Sequence, residues 1–103
     1  MTFKYEPGQI LVGGGRHYAP HFYRVVSRTA AYVATVRLET EFTPAADQRP
    51  GFTAGSYLPT DQVHINWRLG PKRNRIKVDD AGNEFGAPAY TLWDGEPVPY
   101  SNC

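Results

Sequence analysis

From His21 to Thr43 the chain runs without a glycine or a proline, and its apolar positions follow the period of strands. Phe22, Tyr23, Val25 and Val26 are aromatic or β-branched, the side chains that suit a pleated surface. After the break Ser27-Arg28-Thr29, Tyr32, Ala34, Val36 and Leu38 alternate with Val33, Thr35, Arg37 and Glu39. Period two turns the first set inward and leaves the second increasingly polar. Ala31 and Ala34 would also suit a helix over Ala30 to Leu38, but the β-branched Val33, Thr35 and Val36 tip the segment to strand.

Elsewhere glycine and proline set the punctuation. Gln9 to Val12 reads as a first strand after the Pro7-Gly8 turn, and Gly13-Gly14-Gly15 ends it and opens a loop to Pro20. Pro44 to Pro59 holds three prolines and two glycines, which predicts a long loop, a natural contact segment. Val63 to Trp67 reads as a strand with His64 and Asn66 away from the core side. Arg75 to Val78 reads as another, closed by the hairpin-type turn Asp79 to Asn83. Pro88 to Trp93 predicts one helical turn with Pro88 at its first position, and Asp94-Gly95 turns the chain into a tail punctuated by prolines.

These elements predict a mainly β fold over residues 1–103 as a single domain: a small SH3-like barrel or a strongly bent antiparallel sheet, with one short helical turn. An OB-like barrel fits less well, because it usually carries a longer helix between its third and fourth strands.

Composition narrows the function classes. The 103 residues carry 11 Lys and Arg against 10 Asp and Glu, so the chain is not uniformly basic. With 41% hydrophobic and 14% aromatic residues it is too apolar for disorder. A compact chain of this mass keeps about 5,800 Å² of accessible surface, enough for one small core and little for a deep pocket. The single cysteine, Cys103, is the last residue, so neither a disulfide framework nor a prenylation box is expected. No membrane span and no export signal are visible, which makes the cytoplasm the expected site of action.

Catalytic chemistry finds no foothold. His17 and His21 stand four apart, but Pro20 and the glycines before them forbid the helix that would let them share a metal, and His64 is remote. Gly13-Gly14-Gly15-Arg16 lacks the lysine and hydroxyl of a phosphate loop. Ser27, Ser56 and Ser101 have no elbow context, and Asp79-Asp80 is explained by turn chemistry. No enzyme activity, cofactor or metal is expected, and a small metal-dependent protein using the histidines is the third and weakest alternative.

Binding chemistry is better represented. Arg68, Lys72, Arg73, Arg75 and Lys77 fall within ten residues, and period two puts Arg73, Arg75 and Lys77 on one strand face. Such a row neutralises phosphates in DNA or RNA, with rings such as Tyr23 or Tyr57 adding base stacking, or else guards a solvated sheet edge. Fourteen aromatic residues exceed the roughly six to eight a core of this size hides, so several rings are expected at a partner surface. Arg16, His17, Tyr18 and His21, with Phe52 and Tyr57 of the long loop, are the expected contacts to a protein partner.

Several segments also carry a resemblance. They are Gly8-Gln9-Ile10-Leu11, then Phe22 to Val26 followed by Thr29-Ala30, then Lys72-Arg73 through Ile76-Lys77. The turn Asp80 to Glu84 and, most specifically, Tyr90-Thr91-Leu92-Trp93-Asp94-Gly95-Glu96-Pro97 complete the set. In these the chain resembles a family of small proteins of phages, prophages and other mobile elements, and departs from it over Gly13 to Pro20, where the family has a Gly-Tyr-Asp-Gln-Thr-Asn-like stretch. The resemblance implies a mobile-element setting in a bacterial host cell, no catalytic motif, and a partner among host or defence-system proteins that the chain binds, with inhibition of that partner as the further expectation.

Overall fold

The alternation that begins at Tyr32 belongs to a strand of 13 residues, the longest among the described residues. The computed structural model describes residues 2–15, 18–46, 53–67, 70–88 and 91–102. Among the described residues nine strands follow in chain order: β1 (Ile10–Gly15), β2 (Tyr18–Arg28), β3 (Tyr32–Pro44), β4 (Thr53–Val63), β5 (Lys72–Arg75), β6 (Lys77–Val78), β7 (Glu84–Phe85), β8 (Thr91–Leu92) and β9 (Val98–Asn102). The main sheet is antiparallel in the order β8-β1-β2-β3-β4-β9, and β6 with β7 forms a separate two-stranded hairpin. One edge of β3 is shared: β5 pairs along Tyr32 to Thr35, and β4 pairs from Leu38 to Pro44. The sheet is strongly curled into a half-barrel, as the mainly β, bent-sheet expectation required.

Several expectations change. The long loop of 44–59 is mostly strand, since Gly55 to Pro59 pairs with Thr40 to Pro44; only Ala45 and Ala46 lead into residues 47–52, which lie outside the described residues. Val63 to Trp67 is not one strand, because β4 ends at Val63 and Ile65–Trp67 forms a 3-10 turn. The helical turn at Pro88 to Trp93 is replaced over its second half by β8, held to β1 through Leu11 and Val12. The glycine run extends β1 to Gly15 instead of ending it, and the proline-punctuated tail supplies the edge strand β9.

Burial in β3 also departs from simple alternation. Val33, Ala34, Thr35 and Val36 are buried in succession, while Tyr32, expected inward, is 39% exposed. The sheet is covered on both faces, so each parity meets its own apolar cluster. Tyr5, Leu11, Val25, Val33 and Ala87, with Phe3, Tyr23 and Ile76 against them, form one. Phe22, Val36 and Leu38 form the other, flanked by Ile10, Val12, Tyr57, Val63, Trp93 and Val98. Thr35 sits in this double-sided stretch with its hydroxyl buried and without a hydrogen-bond partner among the described residues. Thr35→Val keeps the shape and removes the unpaired group, so we expect a stabilisation of about 1 kcal/mol, read as a higher urea midpoint with an unchanged slope.

The first cluster is closed by the N-terminal segment, which the β6–β7 hairpin ties down. Asp79 accepts from the backbone of Ala81 and Asn83 at 3.0 and 2.8 Å, and these bonds hold its carboxyl below the usual range. Asn83 Oδ1 then accepts from Phe3 N (2.8 Å), and Glu84 N donates to Phe3 O (3.0 Å). The Glu84 carboxylate takes both Arg28 Nη1 and Nη2, the latter at 3.0 Å, and the Tyr5 N–H at 2.9 Å. Arg28 Nη1 also reaches Tyr5 O at 3.1 Å, and the Tyr5 hydroxyl accepts from Ala87 N at 3.2 Å.

The hydrogen bonds from Arg28, aided by Tyr5 N–H, hold the Glu84 carboxyl below its ordinary range. The folded value therefore lies below the unfolded one, near 4.3. The stabilisation is present in full above that unfolded value and disappears as pH falls through the folded value. Glu84→Ala should cost about 2 kcal/mol at pH 7, and Glu84→Gln should flatten the acid limb of stability as pH falls below the ordinary carboxylate range, measured by urea unfolding.

Candidate functional site

Register brings the candidate residues together or separates them. Tyr23 and Arg37 are directly opposite on β2 and β3 and share a face with His21, two residues earlier and exposed. Lys72, opposite Thr35, lies on that same face. The 3-10 turn carries Trp67 to it: the Trp67 ring stands edge-on to Tyr23 (centroids 5.8 Å, 70°), and the Lys72 ammonium sits 4.6 Å from the Trp67 ring centre. His64, whose N–H donates to Arg37 O at 2.8 Å, joins β4 to this turn. Partial burial, then the charges of Arg37 and His64, push the His21 pKa down.

The face is therefore basic and aromatic. Among the described residues the ion pair is Arg28–Glu84, which leaves Arg37 and Lys72 without an acidic partner at salt-bridge distance. Glu39 and Glu41 follow Arg37 at the same parity and bound the patch; Glu39 Oε1 is engaged by Ile65 N at 3.3 Å.

The expected cationic row does not form as one face. Arg73 and Arg75 lie on the opposite side of β5 from Lys72, Arg73 over the Tyr32 ring at 5.5 Å. The strand breaks at Ile76, whose N–H bonds Ala31 O (2.8 Å) while its side chain joins the first cluster. Lys77 consequently belongs to β6, opposite Phe85. Arg68 lies outside the described residues, as do Arg16, His17 and Phe52, and Tyr18 is described by its backbone alone, opening β2.

Tyr57 is not a loop residue. It stands in β4 opposite Phe42 (centroids 4.9 Å) and edge-on to Tyr100 of β9 (5.6 Å). The three half-buried rings line one face of an arm made by the far ends of β3, β4 and β9. No residue of β3 beyond Leu38 and none of β4 is fully buried among those described, so the arm extends from the margin of the second cluster, which Tyr57 touches.

The C-terminal motif has a structural role. Trp93 N donates to Ile10 O (2.8 Å), its ring packs edge-on to Phe22 (5.8 Å), and its Nε1 donates to Glu96 O (2.8 Å). Asp94 Oδ1 accepts from Glu96 N at 2.9 Å, and this turn leads the chain into β9.

Among the described residues no group of three or more His, Cys, Asp and Glu is placed to hold a metal ion, and no helix is long and apolar enough to cross a membrane. Sequence reading missed Arg37, which looked like the polar side of an alternating strand, and the pairing of Trp67 with Lys72. Their only sequence signal was a tryptophan directly before the basic run. Compared with known proteins, the chain matches no protein-family model, no curated protein and no solved structure.

Proposed function

We propose that the protein is a non-enzymatic binding module of a phage or other mobile element that docks on a host or defence-system protein in the bacterial cytoplasm through its aromatic arm. The observation that carries the reading is surface in excess. The chain exposes 7078 Å², where a compact protein of its mass keeps about 5,800 Å². Its radius of gyration is 15.2 Å against about 13 Å for a compact domain of about 100 residues, and its thinnest dimension is 18 Å. An open half-barrel of this shape offers edges and ring-bearing faces, and half-exposed aromatic rings suit the centre of a protein interface. The C-terminal motif and its mobile-element resemblance support the class of partner.

The test is affinity capture from host lysate with the tagged full chain, with and without nuclease. The expected result is a protein retained in stoichiometric amount after nuclease treatment and lost with Phe42→Ser plus Tyr100→Ser, a variant whose folding is checked by circular dichroism. A capture abolished by nuclease, or unaffected by the double substitution, would overturn the reading.

A further inference from the structure

We propose that the sheet face bearing His21, Tyr23, Arg37, Trp67 and Lys72 binds single-stranded nucleic acid. This proposal is independent of the docking arm, because different residues carry it. Tyr23 and Trp67 are half-buried rings set edge-on at 5.8 Å, so one of them turns its face where the other turns its edge. Rings held by a sheet in this way stack on unpaired bases of any sequence. Arg37 and Lys72 flank them as cations without an acidic partner among the described residues, and His21 stands exposed beside Arg37.

Charge placement is the second observation. Partial burial, then the Arg37 and His64 charges, disfavour protonated His21, and register puts Arg37 and Lys72 on its face of the sheet as a concentration of positive charge. A phosphate would neutralise it, and the neighbouring rings would take the attached base. Glu39 and Glu41 lie toward the arm and set the boundary of the footprint. A duplex presents phosphates but not open base faces, so the rings select the single strand.

The experiment is fluorescence anisotropy of labelled dT20 and of a duplex of equal length, with the full chain. Two to three phosphate contacts predict a 7- to 18-fold loss of affinity for dT20 between 50 and 200 mM salt, at a slope of about −0.7 per contact. Trp67→Ala should weaken binding about fivefold or more through lost stacking. Lys72→Glu, on an exposed side chain and therefore safe for folding, should weaken it and reduce the salt slope. Arg73→Glu plus Arg75→Glu places two charge reversals on the other face of β5 and should leave dT20 binding within twofold. Absence of dT20 binding overturns the proposal. So do unchanged affinity in Lys72→Glu, an equal loss in the Arg73/Arg75 variant, or a duplex bound as tightly as the single strand.

Discussion

Phe22→Ala is expected to remove about 3–5 kcal/mol of stability, the largest loss of any single side-chain truncation in the second cluster. Phe22 has no exposed surface, stands opposite both Val12 and Leu38 at the middle of β2, and meets the Trp93 ring edge-on. Truncation leaves a cavity between β2 and the segment that leads into β9, and the surrounding strands are too constrained by their ladders to collapse into it. A domain holds about 5–15 kcal/mol in total, and this one divides its buried apolar residues between two small clusters. The melting temperature should fall by about 12 °C or more. The near-ultraviolet signal of Trp93 should weaken even below the transition, since its packing partner is gone. A melting temperature within a few degrees of the parent would show that Trp93 and β9 are held without Phe22.

The strands that could be read from sequence are those whose information is local. β2 and β3 announce themselves through an uninterrupted β-branched and aromatic run. The buried succession Val33-Ala34-Thr35-Val36 was also in plain view, but a strand covered on both faces looks like an imperfect alternation unless the second cover is known. That cover comes from Phe3 and Tyr5 on one side and Trp93 and Val98 on the other, residues that approach only through tertiary contact.

β4 was hidden by its own breakers. Gly55 is glycine for space: a side chain there would strike the Thr43 carbonyl oxygen, and the Phe42 ring lies 2.7 Å from where its Cβ would be. Pro59 lies beyond Tyr57, the last residue of β4 paired with β9, and beside the register shift at Leu38 to Thr40, where an absent N–H is tolerated. The helix signal of Pro88 lost to a single non-local bond network, Trp93 N to Ile10 O and β8 to β1. For the basic-aromatic face, Lys72 and His21 could be nominated from charge and type. Arg37 could not, because its neighbourhood with Tyr23 is a matter of register, and register is decided by which residues the cores accept.

Gly86→Ala is expected to cost about 3 kcal/mol or more, and the reason is a close approach of two backbones. Gly86 follows β7 with φ of 125°, and a Cβ there would fall well inside contact distance of the Arg75 carbonyl oxygen, with Lys77 N at 3.7 Å. Both neighbours are main chain at the point where β5 gives way to β6, so no side-chain rotation relieves the overlap. Positive φ alone accounts for about 1–2 kcal/mol in a residue with a Cβ. Gly8 separates the two contributions, since its φ is 93° yet nothing lies within 4 Å of its would-be Cβ. Gly8→Ala should therefore show the backbone cost alone, and Gly86→Ala that cost plus the collision. The collision acts on the chain that places Ala87 under the Tyr5 hydroxyl and Glu84 against Arg28. Hydrogen exchange should consequently quicken first at Phe3 and Tyr5, whose amides depend on Asn83 and Glu84, and later in β2 and β3. Equal losses in the two variants would mean that the strands part easily at Arg75, and that the N-terminal segment is held by the Arg28–Glu84 pair without help from this crossing.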